Sequence, residues 1–287
     1  MNTPATDQPT FSLELFPPKT AAGIEKLKQT VRQLNSVGPV YFSCTYGAGG
    51  STRERTFETV AWLRGQGIET APHLACIGSE KDEIREIVHF YIEQGVSRVV
   101  ALRGDLPSGM GRAGLGTFRY ANELVGFLRE EFGNHFHIEV AAYPEVHPQA
   151  PSAEADLASF KRKVEAGADA AISQYFYNAD AYFQFVDQCR KIGIEIPIVP
   201  GIMPITNYTQ LARFSDACGA EIPRWIRKRL ETFGDDRDSI RAFGHDVVLD
   251  LCRRLLEGGA PGLHFYTMNQ SAPSLKLWRE LDLPAVQ

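Results

Sequence analysis

The chain has 287 residues, 44% of them hydrophobic, which is enough for one large domain or two medium ones. Its net charge of −5 and the lack of any block of lysine and arginine exclude the usual signature of a nucleic-acid-binding protein. The five cysteines are scattered, with no Cys-x-x-Cys pair, which favours reduced thiols over a disulfide framework or a zinc site. The sequence has neither a signal peptide nor an apolar run of about 20 residues, the length of a membrane span, so we expect a cytoplasmic protein with no membrane partner.

Short segments rich in β-branched and aliphatic residues are predicted to be strands, and helical spacing of apolar residues follows each of them. The predicted strands are residues 11–16, 40–45, 69–76, 99–102, 136–143, 170–175, 196–200 and 262–267. The first six of these precede helices that end near residues 34, 64, 94, 131, 167 and 192. Strand seven precedes two predicted helices, residues 208–217 and 240–256, and a tail helix over residues 274–281 follows strand eight.

Repeated strand–helix units predict a parallel sheet with right-handed crossovers. Eight such units in about 280 residues are typical of a (β/α)8 TIM barrel. We therefore predict an α/β protein with one barrel domain over residues 11–287 and a disordered tail over residues 1–10. An open, doubly wound sheet is the alternative, because periodicity alone does not distinguish an open sheet from a closed one.

Polar side chains end several of the predicted strands. Because the carboxyl ends of barrel strands form the active face, these side chains should converge on one mouth. They are Glu14, Thr45, His73, Arg103, Asp105, residues 143–147, Gln174 and residues 266–269.

Glu14 is the most informative of them, since it lies between Leu13 and Leu15 in an apolar strand, where an unpaired carboxylate is costly. Desolvation would raise its pKa, so that it could stay protonated near neutral pH and act as a general acid. The alternative is a glutamate on the outer face of an edge strand.

Other binding motifs fit the sequence less well. Residues 109–114 match G-x-G-x-x-G but lie several residues past their strand, where a dinucleotide loop would occupy the strand-to-helix turn. Residues 47–52 lack the Gly-Lys-Ser/Thr ending of a P-loop. A metal site built from His73, Asp105, Glu145 and His147 would lack the short-spaced ligand pairs that are usual in such sites, so we expect no metal.

Motifs at the strand ends, in order along the chain, carry a resemblance to a known family. They are Glu14 with residues 16–20, then residues 43–48, 71–74, 101–105, 142–148, 172–176, 200–202 and 264–267. Together they resemble the 5,10-methylenetetrahydrofolate reductase family, in the bacterial form that consists of the catalytic barrel alone. The resemblance covers residues 11–269.

The resemblance implies a flavoenzyme with FAD in the barrel and a ping-pong cycle. NAD(P)H would reduce FAD and leave, and methylenetetrahydrofolate would then be reduced to 5-methyltetrahydrofolate, which supplies methyl groups for methionine synthesis. The bacterial likeness favours NADH over NADPH, and the family suggests a homo-oligomer.

The resemblance also implies roles for individual residues. Glu14 resembles the acid that protonates the folate to open its five-membered ring, and the charge of Asp105 would favour the cationic folate intermediate. Gln174 and Tyr208 resemble residues that contact the substrate. The implied FAD contacts are Thr45, Tyr46, Ala48, His73, Arg103, Gly104, Asp105, Tyr120, Ala121, Tyr143, His147, Asp156, Arg162 and Lys163.

Three positions depart from the family pattern. Tyr208 replaces a phenylalanine that stacks on the substrate, and Ser159 replaces an asparagine near FAD. Gln270 replaces an arginine, which puts a contact with the folate glutamate tail in doubt. The rival interpretations are another barrel enzyme, such as a metal- or Schiff-base-dependent lyase, and a non-catalytic folate- or flavin-binding protein.

Overall fold

The structure is a computed structural model that describes residues 9–46, 50–104 and 116–284, leaving aside the side chains of residues 50–52. Most of the predicted tail, the motif at residues 109–114, Ala48 and Asp105 lie outside these ranges. Within them, nine strands and ten helices alternate along most of the chain. None of the helices in these ranges combines the length and apolarity that crossing a lipid bilayer requires.

The strands are β1 (Thr10–Leu15), β2 (Tyr41–Cys44), β3 (Thr70–Ala75), β4 (Arg98–Leu102), β5 (His137–Ala142), β6 (Ala170–Ser173), β7 (Ile198–Val199), β8 (Gly201–Ile202) and β9 (Gly262–Tyr266). The helices are α1 (Ala21–Asn35), α2 (Gly50–Gly65), α3 (Lys81–Glu93), α4 (Ala121–Phe132), α5 (Ala153–Glu165), α6 (Ala179–Lys191), α7 (Tyr208–Cys218), α8 (Arg224–Phe233), α9 (Arg237–Glu257) and α10 (Ser271–Glu280).

The sheet closes on itself through the segment that contains Pro200. All its ladders are parallel, in the order β7-β6-β5-β4-β3-β2-β1-β9-β8. β7 pairs with β6 and β8 pairs with β9, and only Pro200 separates β7 from β8. The two ends of the order are therefore one physical strand, interrupted at a residue that has no N–H to donate. The predicted (β/α)8 barrel is confirmed, and the open doubly wound sheet is wrong.

Successive side chains along each strand point alternately outward to the helices and inward to the barrel axis. The outward set is apolar and wholly buried, with Leu13, Phe42 and Phe265 as examples. A small apolar cluster of Tyr41, Ala71, Val100 and Ile172 is separate from that outer core. The buried polar side chains of the strands are Ser12, Ser43, Thr70, Glu139, Ser173 and His264. The barrel therefore has an apolar shell between strands and helices and a partly polar interior.

The segment after strand seven differs from the prediction, because it contains three helices where two were predicted. The missed helix is α8, whose buried residues are Ile226 and Leu230. Most of its other residues are basic or exposed, so only one narrow stripe of the helix faces the protein.

Candidate active site

Glu14 lies at the carboxyl end of β1 and faces the mouth of the barrel. β1 is paired on both sides, with Glu14 opposite Ser43 of β2 and Tyr266 of β9, so the interpretation as an edge strand is wrong. Its side chain is 19% exposed. One carboxylate oxygen, Oε2, lies 3.3 Å from Nε2 of His73 and 3.7 Å from Nε2 of His264. The carboxyl group is thus held between two histidines at the edge of the solvent.

These histidines overturn the raised pKa that the sequence suggested for Glu14. Burial does raise the pKa of this carboxyl, but its polar and electrostatic interactions with the rings of His264 and His73 outweigh burial and lower the pKa to about 2. The expectation failed because it considered desolvation without the two charge partners. In the ligand-free protein Glu14 is therefore an anion at neutral pH.

His73 contributes more to this site than a strand-end histidine usually does. It lies on β3, and its side chain is 12% exposed. The 3.3 Å separation from Glu14 is within ion-pair range, but Nε2 has no well-directed hydrogen-bond partner among the described residues. A buried polar atom without a directed partner is typical of a site that a ligand completes.

His264 is the functional candidate that sequence reasoning missed. It is fully buried on β9, with Nδ1 2.7 Å from Ser12 Oγ and Nε2 3.4 Å from Ser43 Oγ. The available signal was the pattern of Ser12 and Glu14 in one strand and His264 and Tyr266 in another. Polar residues at alternate positions of a strand buried on both faces indicate a polar barrel interior.

Arg103 and Gly104 follow β4 and bring a fixed positive charge to the mouth. Arg103 donates from Nη2 to Oε1 of Gln149 at 2.5 Å and from Nε to the Gly104 carbonyl at 3.2 Å. Gly104 has φ +86°, and a Cβ there would lie 3.0 Å from Ala75 Cβ and from Ile77 Cγ2. Only glycine permits this turn and this close approach.

Four of the predicted FAD contacts meet at the corner between β5 and α5. The rings of Tyr143 and His147 pack edge to face, 4.5 Å apart, and Asp156 accepts a hydrogen bond from the His147 amide at 2.9 Å. Lys163 is half-buried and donates to the carbonyl of Ala141. Burial lowers the pKa of the Lys163 ammonium to about 8, although the charge of Asp156 opposes this shift. This corner holds a cation with little compensating charge.

The remaining predicted residues are dispersed around the same face. Thr45 and Tyr46 follow β2, and burial raises the pKa of Tyr46. Tyr120 is exposed and immediately precedes α4, whose first residue is Ala121.

Gln174, Arg162 and Tyr208 each engage a neighbour outside the predicted set. Gln174 Oε1 accepts from the Tyr175 amide at 3.0 Å, and Arg162 donates to Ser159 Oγ at 2.8 Å. The Tyr208 hydroxyl donates to Glu231 of α8 at 3.4 Å. The ligand contacts that the resemblance implies for these three residues stay predictions.

A cavity of about 490 Å³ lies between α9, α10 and the segment after β8. None of the predicted site residues lines this cavity. Gln270, one of the positions that depart from the family pattern, does line it. Convergence of polar groups at the strand ends, not cavity size, therefore identifies the candidate site. No group of three or more histidine, cysteine or acidic residues in the described ranges could hold a metal ion.

The sequence is similar to those of known proteins. A family model described as methylenetetrahydrofolate reductase matches residues 1–282. The chain belongs to this family. The 5,10-methylenetetrahydrofolate reductase of Salmonella typhimurium is 40% identical over 273 residues, which are 95% of this chain and 90% of that one. The Escherichia coli enzyme of the same name is 39% identical with the same coverage. Methylenetetrahydrofolate reductase (NADH) 1 of Arabidopsis thaliana is 38% identical over 288 residues, but the match covers only 49% of that chain.

Two solved structures share the fold. An uncharacterized protein from Clostridium thermocellum, described as binding two copies of 5-methyl-5,6,7,8-tetrahydrofolic acid, has a TM-score of 0.67 at 16% identity and covers 96% of this chain and 95% of its own. Oxaloacetate acetylhydrolase has a TM-score of 0.54 at 10% identity and covers 96% of this chain and 81% of its own. The family predicted from the motifs is thus confirmed, and membership supports methylenetetrahydrofolate reduction as the reaction of this chain.

Proposed function

We propose that this chain reduces 5,10-methylenetetrahydrofolate to 5-methyltetrahydrofolate in a ping-pong cycle, with FAD as its cofactor and NADH as the favoured reductant, and so supplies methyl groups for methionine synthesis. The observation that carries this proposal is Glu14, a carboxyl group at the barrel mouth within 3.3 and 3.7 Å of two histidines, in a chain of this family. Plant relatives carry NADH in their names, which favours NADH over NADPH.

The residues around β4, β5 and α5 fit FAD. Lys163 is a half-buried ammonium whose pKa is lowered to about 8, so an anionic ligand group beside it would compensate a charge that the protein leaves nearly uncompensated. Arg103 adds a second cation at the end of β4. When bound, FAD would supply the hydride carrier between NADH and the folate.

Glu14 would give a proton to the folate nitrogen that leaves when the five-membered ring opens. A carboxyl group with a pKa of about 2 holds no proton at neutral pH, so ligand binding has to change its surroundings. Since 19% of the side chain is exposed, a planar ring system over the mouth would remove its remaining water. Desolvation raises the pKa of a carboxyl group, so the bound ring system would shift Glu14 towards its protonated form.

Other residues would position the substrate and stabilise charge. Asp105, which lies outside the described residues, would favour the cationic folate intermediate, as the resemblance implies. Gln174 and Tyr208 would contact the folate ring system; Gln174 follows β6, and Tyr208 is the first residue of α7, which follows β8.

Anaerobic spectroscopy of the purified protein tests this proposal. The protein should be yellow, NADH should bleach it, and methylenetetrahydrofolate should restore the oxidised spectrum. Colourless protein that takes up no added FAD would overturn the proposal, as would reduced protein that the folate fails to reoxidise.

A further inference from the structure

The segment that follows β9 is bonded to the end of β1, next to Glu14. The hydroxyl of Thr267, a residue that is 3% exposed, donates to the Glu14 carbonyl at 2.6 Å. The side-chain amide of Asn269 pairs twice with the backbone of Phe16: Oδ1 accepts from the Phe16 amide at 3.1 Å, and Nδ2 donates to the Phe16 carbonyl at 2.8 Å. We refer to residues 267–269 as the clamp.

The clamp continues the hydrogen bonding between β1 and β9 past the end of β9. The Leu15 carbonyl accepts from the amide of Thr45, just after β2, at 2.9 Å. Successive carbonyls of a strand point to opposite neighbours, so the carbonyls of Glu14 and Phe16 point towards β9. β9 has its last residue opposite Glu14, and beyond that point side chains of the clamp supply the hydrogen bonds. The part of β1 that carries Glu14 is therefore held from both sides.

The backbone of the clamp is strained. The Gln270 amide donates to the Thr267 carbonyl at 2.9 Å and closes a four-residue turn whose central residues, Met268 and Asn269, have φ +50° and +53°. Such turns favour glycine, asparagine and aspartate, and methionine is uncommon in this conformation. The Thr267 hydroxyl accepts from the Asn269 amide at 3.1 Å, and Thr30 of α1 donates to the Asn269 carbonyl at 3.4 Å. Backbone strain of this kind persists where the surroundings determine the conformation, and it is concentrated at functional sites.

The end of β1 depends on side chains for this support. Pro17 and Pro18 follow Phe16 directly and have no N–H with which to continue a ladder. A group that transfers a proton has to be held accurately, because a misplacement of about 1 Å can cost about 10²-fold in rate. The clamp fixes the main chain of the residue that carries the candidate acid.

We propose that Thr267 and Asn269 are positioning residues that hold the carboxyl group of Glu14 in place at the barrel mouth for proton transfer to the folate. They act on Glu14 through the backbone of β1, whereas His73 and His264 lie beside its carboxylate. The proposal rests on the proposed role of Glu14 as the acid.

Thr267→Val is the sharpest test, since it removes the hydroxyl and keeps the size and branching of the side chain. At saturating methylenetetrahydrofolate, reoxidation of the reduced protein should slow about 10- to 100-fold. The Kd for the folate and the rate of reduction by NADH should change little, because the hydroxyl is directed at the Glu14 backbone. Thr267→Ser, which keeps the hydroxyl, should restore most of the rate. Asn269→Gly, which tolerates the left-handed backbone but lacks the amide, should reproduce the slowing.

Carbon NMR of ¹³C-glutamate-labelled protein reports the surroundings of Glu14 without turnover. The Glu14 signal is the one that Glu14→Gln lacks. In the parent it should stay that of the anion down to about pH 4, because the pKa is about 2. In Thr267→Val and Asn269→Gly, displacement from the neighbouring rings should move the titration midpoint up towards 4.5. The titratable groups around Glu14 are His73 of β3, Cys44 of β2, and His264 and Tyr266 of β9.

Thr70→Val is the matched control. Thr70 is 1% exposed at the amino end of β3, and its hydroxyl also donates to a backbone carbonyl, that of Ile68, at 3.0 Å. This variant should change neither the Glu14 signal nor either half-reaction.

An unchanged Glu14 midpoint in both clamp variants would overturn the proposal, whatever their rates. Equal slowing of the two half-reactions by Thr267→Val, or failure of Thr267→Ser to restore the folate step, would also overturn it, since the hydroxyl would then only support the fold. The NMR signals do not depend on turnover, so a parent protein that reduces no folate would refute the proposed function separately.

Discussion

Replacing Lys163 with methionine should abolish a proton uptake that accompanies FAD binding. Folding lowers the pKa of this ammonium from 10.5 to about 8, so without ligand it is mostly neutral at pH values between these two. At about pH 9, roughly a tenth of the molecules carry the proton, and an anionic group that restored the ordinary pKa would raise this share to nearly all. Binding should therefore take up about 0.9 proton at about pH 9, and affinity should fall as the pH rises above 8.

Isothermal titration calorimetry of the FAD-free protein checks this number. Titrations with FAD in two buffers of different ionisation enthalpy give the proton count directly. Lys161→Met is the matched control, because Lys161 lies on the same helix but is 42% exposed and pairs with Glu165 at 3.7 Å. The control should keep the uptake and Lys163→Met should lose it. Equal uptake by the parent and Lys163→Met, or none by the parent, would refute the reasoning.

Three further predictions concern stability and are measured by denaturant unfolding. Glu139→Ala should lower the free energy of unfolding by about 3–5 kcal/mol, because it leaves a partly buried arginine and a buried tyrosine without their partner. Gly201→Ala should cost about 1–3 kcal/mol, since its Cβ would lie 2.2 Å from the Ser173 carbonyl oxygen, whereas Gly65→Ala, with nothing within 4 Å, should be neutral or stabilising. The pKa of Glu14 is about 2 in the folded protein, whereas its ordinary value is 4.5. Its contribution to stability is therefore present above pH 4.5 and is lost as the pH falls towards 2, and Glu14→Gln should remove this acid dependence.

The strands of the barrel could be predicted from the sequence because each is short, apolar on at least its outer face and followed by helical periodicity. The number of strand–helix units predicted a closed barrel, but the sequence did not show that the closing strand is divided at Pro200 into β7 and β8, which pair with different neighbours. Helix α8 was missed because its two buried residues, Ile226 and Leu230, are too few to give a recognisable helical pattern among its basic residues.

The sequence indicated Glu14 as the candidate acid because it lies in an apolar strand. It did not indicate that the pKa of Glu14 is lowered. The pKa of Glu14 depends on His73 and on His264, which is 250 positions away along the chain. The bond between Ser12 and His264 likewise spans 252 positions. Local sequence can indicate that a carboxyl group is buried, but the partners that decide its charge are set by the closed barrel.

Glu14→Gln, examined in anaerobic stopped-flow, tests the central claim most directly. The amide keeps the shape of the side chain and cannot donate a proton to the folate. We expect reduction by NADH to keep its rate, while reoxidation by methylenetetrahydrofolate falls by about 10²–10⁴-fold, the usual contribution of a general acid. Similar loss in both half-reactions, or an unchanged folate half-reaction, would contradict the assignment of Glu14 as the proton donor.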